Sequence, residues 1–298
     1  MTSLEGPVAR ALRRVRDYVG TNAALLATAA IGAALFAGLI MLSADVYEAV
    51  ADADGVSLLD QPALDLALAL RTPAGERAVT GFTNLGDTPS MVFITLTLAA
   101  ALYAHWRRRS ILLLVGVAAS GSLVFTAVGK TLVGRTRPPF SSAVPPYEHA
   151  PSFPSGHTLN GTVIALTFAY LAWWLAKVFW VHVLAPVVGA LWAIAMGLSR
   201  VYLGHHWLTD VMFGWAFGLA WLALLITVHR VLLRLDRRDR VVAEHGGVPA
   251  RPPSKALEPG APEETPAAAR PSGAAGGIAG SRRRTSPPQA HRNREEKP

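Results

Sequence analysis

Apolar residues in this chain gather in long runs separated by short polar segments. The first covers residues 23–42, and 91–105, 111–128, 158–176, 183–198 and 207–228 follow it. About 20 apolar residues in a helix cross the hydrocarbon layer of a bilayer, so these runs predict an all-α, polytopic membrane protein with six transmembrane helices. Two of them, 91–105 and 183–198, are short, and the second holds Pro186; both should extend into the flanking interface. The first run is longer than the core of a signal peptide and is expected to stay in the mature protein. Between the first two runs, residues 58–70 alternate apolar and polar groups at roughly helical spacing, which predicts a short helix lying in the interface.

The charges give these runs an orientation. Arg10, Arg13, Arg14 and Arg16 precede the first, Arg107, Arg108 and Arg109 separate the second and third, and Lys177 lies between the fourth and fifth. Arg230, Arg234, Arg237, Arg238 and Arg240 follow the sixth. Six crossings put all these clusters on one side, and short basic loops face the cytoplasm, so both termini are predicted to be cytoplasmic. The segment 43–89 then faces outward; there Asp45, Glu48, Asp52, Asp54, Asp60 and Asp65 outnumber Arg71 and Arg77. From Val241 onward the composition shifts to Pro, Ala, Gly, Arg and Glu. Such a segment buries too little apolar surface to offset its ordering entropy and is predicted to be disordered. The chain thus divides into a basic cytoplasmic N-terminus (1–22), a membrane domain (23–228), a basic juxtamembrane segment (229–240) and a tail (241–298).

Composition agrees with membrane insertion. The chain is 51% hydrophobic and only 16% charged, too apolar for an ordinary soluble domain. Its net charge of +8 sits beside the apolar runs and in the tail, so no nucleic-acid partner is expected. There is no cysteine, which excludes disulfides, thiolate catalysis and Cys-ligated metals.

Three clusters carry candidate chemistry, and the topology brings all of them to the outer ends of spans. They are Lys130-Thr-Leu-Val-Gly-Arg135-Thr-Arg137-Pro138, Pro151-Ser-Phe-Pro154-Ser155-Gly156-His157, and Ser199-Arg200 followed by His205-His206 and Asp210. Lys130, Arg137 and Arg200 would repel one another at one level of the bilayer unless an anion neutralises them, and a guanidinium fork fits a tetrahedral oxyanion. Ser155 and Gly156 read as a helix start whose free N–H groups and dipole favour an anion. His206 and Asp210 are four residues apart, so on a helix they share a face, and the carboxylate would fix the imidazole tautomer and leave the other nitrogen nucleophilic. His205 competes for that role, but five residues separate it from Asp210. Three imidazoles and a carboxylate are also a donor set for zinc, against which the three neighbouring cations weigh.

With these spacings the chain resembles the type 2 phosphatidic acid phosphatase superfamily, the lipid phosphate phosphatases. Their signature K-x6-R-P, P-S-G-H, S-R-x5-H-x3-D corresponds to Lys130–Pro138, Pro154–His157 and Ser199–Asp210 in the same order. The resemblance covers about 23–228 and implies a metal-independent phosphoric ester or diphosphate hydrolase without a cofactor. It implies His206 as a nucleophile forming a phosphohistidine, Asp210 as its orienting carboxylate, and His157 as the acid for the leaving oxygen and then the base for water. Lys130, Arg137, Ser155, Gly156 and Arg200 would hold the phosphoryl oxygens; Arg135, His205 and Ser199 are weaker candidates. The implied substrate is a lipid phosphate or an isoprenyl diphosphate of the undecaprenyl type, at the outer face. A phosphotransferase using the same phosphohistidine, and a transporter or scaffold, are the alternatives; the apolar span interiors weigh against transport.

Overall fold

A computed structural model describes the backbone of residues 7–245 and the side chains of residues 22–236. The described residues form eight α-helices and no strand: α1 (Pro7–Asp52), α2 (Asp60–Ala69), α3 (Pro73–Thr83), α4 (Thr88–Trp106), α5 (Arg109–Val133), α6 (Gly156–Leu175), α7 (Phe179–Tyr202) and α8 (Leu208–His245). Six of them, α1 and α4 to α8, are long and apolar enough to cross a membrane, as the six apolar runs predict. The predicted tail falls mostly outside the described residues; its first five residues continue α8 to His245.

Several boundaries differ from those the sequence predicts, each for a local reason. The segment expected to leave the membrane at Ser43 stays helical to Asp52, because nothing before Ala53 and Gly55, both at positive φ, breaks the chain. A helix does form within 58–70: it is α2, entered through a 3-10 turn at Gly55–Leu59. A further helix, α3, has no counterpart in the apolar pattern. Its signal is the Thr72-Pro73 pair, in which the Thr72 hydroxyl accepts from the Gly75 N–H at 3.1 Å and proline takes the first helical position. Gly134, at φ +63, ends α5 with its N–H on the Lys130 carbonyl and turns the chain into the first motif.

Helix α6 is the hub. It packs on α5, α7 and α8, while α1 lies along α8 and α4 along α5. In the most apolar stretch of α6 61% of the residues are buried, against 6% in that of α1, so α6 carries its polar residues inside and α1 is a peripheral helix packed mainly on α8. The core joins Ile111, Val115 and Ala118 of α5 to Leu159, Val163 and Leu171 of α6 and Leu225 of α8. Phe125 stands edge-on to Phe217 and Trp221 there. Large apolar side chains left exposed, such as Ile31, Phe93, Leu96, Val188 and Leu191, point outward, as a bilayer requires. At the end of the bundle away from the motifs, Arg108 lies over Trp174 and Arg230 over Trp173, an arrangement suited to a membrane–water interface. The short helices α2 and α3 contact α7, and α2 also reaches α8.

Candidate active site

All three motifs meet at one end of the bundle, where α5 and α7 finish and α6 and α8 begin. Three backbone bonds tie them together: Ser152 N–H to the Arg135 carbonyl at 2.8 Å, Val144 N–H to the Leu203 carbonyl at 2.9 Å and Ser155 N–H to the Asp210 carbonyl at 3.3 Å. The turn from α7 into α8 depends on Gly204, whose φ is +71; a Cβ there would collide with the Ser142 carbonyl oxygen.

Beyond that turn lie His205 and His206, before α8 begins at Leu208. Spacing alone places His206 and Asp210 on one helical face; in the structure His206 instead lies outside the helix. The pair forms because Asp210, in the first turn of α8, reaches back: its Oδ2 accepts the Trp207 N–H at 3.0 Å, half of a capping box, and lies 3.3 Å from His206 Nδ1. Ser152, 3.4 Å from the same imidazole nitrogen, donates to Asp210 Oδ2 as well. His206 Nε2 faces the other way, 3.2 Å from Arg137 Nη1. Burial first, and then Arg137 and Arg200, push the His206 pKa well below its ordinary value, so the ring is neutral at physiological pH. His205 points elsewhere, with Nε2 2.7 Å from the Val144 carbonyl.

The predicted cations converge on this imidazole. Arg137 donates to the carbonyls of Ala150 and His205 at 2.7 and 2.6 Å, and Lys130 donates to the Pro151 carbonyl. Arg200 is almost wholly buried; one fork nitrogen donates to Thr83 Oγ1 at 3.1 Å, and Nε has no hydrogen-bond partner. Ser199 donates to the Met196 carbonyl at 2.6 Å and lies 3.1 Å from the same Thr83 hydroxyl, a helix-packing role. Between the two guanidinium groups sits Glu148, paired with Arg137 Nη2 at 2.7 Å and with Arg200. Burial works against its charge, but Arg200 foremost and Arg137 with it hold the Glu148 carboxyl down to about 2.

His157, in the first turn of α6, places Nε2 2.9 Å from Asp87 Oδ1 at the start of α4, and Arg200 and Glu148 lie within electrostatic reach of its ring. Ser155 stands at the cap position of α6, yet its side chain makes no capping bond; the expected cap is replaced by a bond in which its hydroxyl accepts from Thr158 Oγ1 at 2.9 Å. Arg135, a weak candidate from sequence, bridges Asp60 and Asp210 at 2.7 Å each. Glu148, Asp87, Ser152 and Asp60 escape a reading by sequence. Glu148 has a usable signal as a lone acid between the first two motifs, and Ser152 lies two residues before Pro154, whereas Asp87 and Asp60, the latter noted only as one of the outward-facing acids, come from segments far away in sequence. Among the described residues no group of three or more histidines and carboxylates is gathered to hold a metal ion.

The site sets a buried imidazole between a carboxylate and a guanidinium on a six-span helical scaffold, and the matches that follow mark the chain as a membrane-embedded phosphoric ester hydrolase. Residues 109–234 match the family model described as the PAP2 superfamily. That matched segment holds all three motifs. It is 29% identical over 193 residues to phosphatidylglycerophosphatase B of Bacillus subtilis (strain 168), spanning 62% of this chain and 88% of that protein. It is 30% identical over 139 residues to an undecaprenyl-diphosphatase of Sulfolobus acidocaldarius, spanning 45% and 61% of the two chains. The crystal structure of a transmembrane PAP2 type phosphatidylglycerolphosphate phosphatase from Bacillus subtilis superposes with a TM-score of 0.57 at 26% identity, covering 67% of this chain and 96% of that one.

Proposed function

We propose that the chain hydrolyses a membrane-lipid phosphate by phosphoryl transfer through His206. The observation that carries this is the orientation of one ring: Nδ1 lies 3.3 Å from Asp210, while Nε2 lies 3.2 Å from the Arg137 guanidinium. With its proton on Nδ1 toward the carboxylate, the imidazole turns the Nε2 lone pair to the side where the cations hold a phosphoryl group. Nε2 attacks phosphorus, a P–N bond forms, and the P–O bond to the lipid breaks. Asp210 stabilises the imidazolium that results. His157 gives its proton to the departing oxygen, and Asp87 steadies the protonated ring beforehand. His157 then takes a proton from the water that cleaves the P–N bond, so both histidines return to their starting states.

Lys130, Arg137, Arg200 and the Gly156 N–H hold the non-bridging oxygens, helped by the positive end of the α6 dipole. Ser155 joins them: its hydroxyl accepts from Thr158, leaving its own proton to donate. These groups supply the positive field themselves, and neither metal nor cofactor takes part. The names of the relatives support a lipid phosphate substrate, either a glycerophospholipid-type monoester or an isoprenyl diphosphate of the undecaprenyl type. The basic loops support an outward-facing site with both termini in the cytoplasm.

The two histidines separate by leaving group. His206→Ala should abolish turnover of lipid monophosphates and diphosphates alike. A monophosphate expels a strongly basic alkoxide that needs protonation, worth roughly 10²–10⁴-fold, whereas a diphosphate expels a phosphate, which leaves with little help. In single-turnover measurements His157→Ala should therefore slow phosphoenzyme formation far more with the monophosphate. An equal loss on both substrates would show that His157 binds phosphate and does not act as the acid.

A further inference from the structure

Asp60 and Arg135 touch neither the Arg137–Arg200 cradle nor the imidazole, yet they are joined to the carboxylate behind it. Arg135 Nη1 donates to Asp210 Oδ1 at 2.7 Å and to Thr209 Oγ1 at 2.8 Å, while Nη2 donates to Asp60 Oδ2 at 2.7 Å. Asp60 opens α2 and is buried; it accepts the Thr209 N–H at 2.8 Å and the Thr209 hydroxyl at 2.7 Å. The Arg135 fork lies over the Trp207 ring, 5.7 Å from its centre. Side-chain exposure is 7% for Asp60, 18% for Arg135 and 0% for Asp210, so the three charges interact with little screening.

Order and sign of charge give this row a consequence. A guanidinium bonded only to Asp210 would set its whole charge against the carboxylate that must stabilise a cation on His206. Asp60 shares that guanidinium from the far side. The row Asp60–Arg135–Asp210 then carries one net negative charge, and its inner end meets Nδ1.

We propose that Asp60 and Arg135 are positioning residues for the hydrolysis. Arg135 fixes the plane of the Asp210 carboxylate, and Asp60 offsets Arg135, so that Asp210 keeps its charge for the imidazolium formed when Nε2 takes up phosphorus. This rests on His206 being the nucleophile. It also ties α2 to the chemistry, since a helix outside the family-matched segment 109–234 delivers one charge to the back of the site.

The test measures kcat and KM on a lipid phosphate in detergent for Asp60→Asn, Asp60→Glu, Arg135→Gln and the double variant Asp60→Asn/Arg135→Gln, with thermal melting of each and His206→Ala alongside. An asparagine still accepts the Thr209 N–H, so the α2–α8 tie survives while the charge is lost. Asp60→Asn should lower kcat about ten-fold, the size of coupling found within one charge network, with KM changed by less than about two-fold because Asp60 touches no phosphate. Asp60→Glu should recover most of that loss. Arg135→Gln leaves two buried carboxylates unbalanced and should be worse, and adding Asp60→Asn to it should raise kcat again. Losses that multiply in the double variant, or a lowered melting temperature with kcat per folded enzyme intact, would mean the row is only structural. Turnover retained by His206→Ala sinks the nucleophile and this inference with it. A dead His206→Ala beside a fully active Asp60→Asn sinks this inference alone.

Discussion

At the residue scale the site is built from charges that satisfy one another before any substrate arrives. Arg137 and Arg200 share the Glu148 carboxylate, which takes the guanidinium donors that a phosphoryl oxygen would take. A phosphate entering the cradle competes with Glu148 for those donors. Glu148→Gln removes the competing charge and should therefore tighten binding of vanadate, a mimic of the five-coordinate phosphorus. The inhibition constant should fall about ten-fold, the size of one hydrogen bond to a charged group. A weaker inhibitor would mean that Glu148 orders the two arginines for phosphate instead of standing in its place. The same balance governs His206. Its depressed pKa keeps the lone pair available, so the ring that meets the cations is neutral without needing a base to remove its proton.

At the scale of elements, α6 and α8 present their N-terminal ends to the site and the turns before them set the chemistry. Gly204 is the tightest of these: with φ at +71 and Ser142 against it, alanine is strained twice over. Gly204→Ala should displace His205 and His206 together and cut kcat by about ten-fold or more, since roughly 1.4 kcal/mol of barrier suffices. Circular dichroism should stay helical. Full activity would show that the turn tolerates a side chain and does not position the nucleophile. This turn also marks how far sequence can reach. The six helices are legible because long apolar runs admit one solution in a bilayer, and the sequence also singles out the Lys130, Ser155 and Arg200–His206 clusters, which the structure brings to one end of the bundle. The partnership of His206 with Asp210 is legible too, but as two residues on one helix; it is a first-turn carboxylate reaching back over the turn. The bonds from Asp87 to His157 and from Asp60 to Arg135 span 70 and 75 residues, and no local pattern encodes a contact of that range. Helix α3 escapes the apolar pattern because it is polar and short, and its only mark is the Thr72-Pro73 start.

For the molecule as a whole, an even number of spans puts the α1 start and the α8 end on the same side, and the basic clusters predict that side to be cytoplasmic. The chain has no cysteine, so single cysteines at Ser3, Ser141 and Ser272 report orientation without background. An impermeant reagent on intact cells should label position 141 and leave 3 and 272 silent; the reverse pattern would invert the topology and move the site to the cytoplasm. The central claim, that phosphorus passes through His206, is tested most directly by trapping it there. The His157→Ala enzyme, given an isoprenyl diphosphate radiolabelled in its terminal phosphoryl group, should form the phosphoenzyme and hydrolyse it slowly. Label should accumulate on the protein, stable in alkali and lost in acid as a P–N bond is, on the peptide that holds His206, and be absent from a variant that also carries His206→Ala. Label that persists without His206, or turnover with no labelled protein in any quench, would contradict phosphoryl transfer through this histidine.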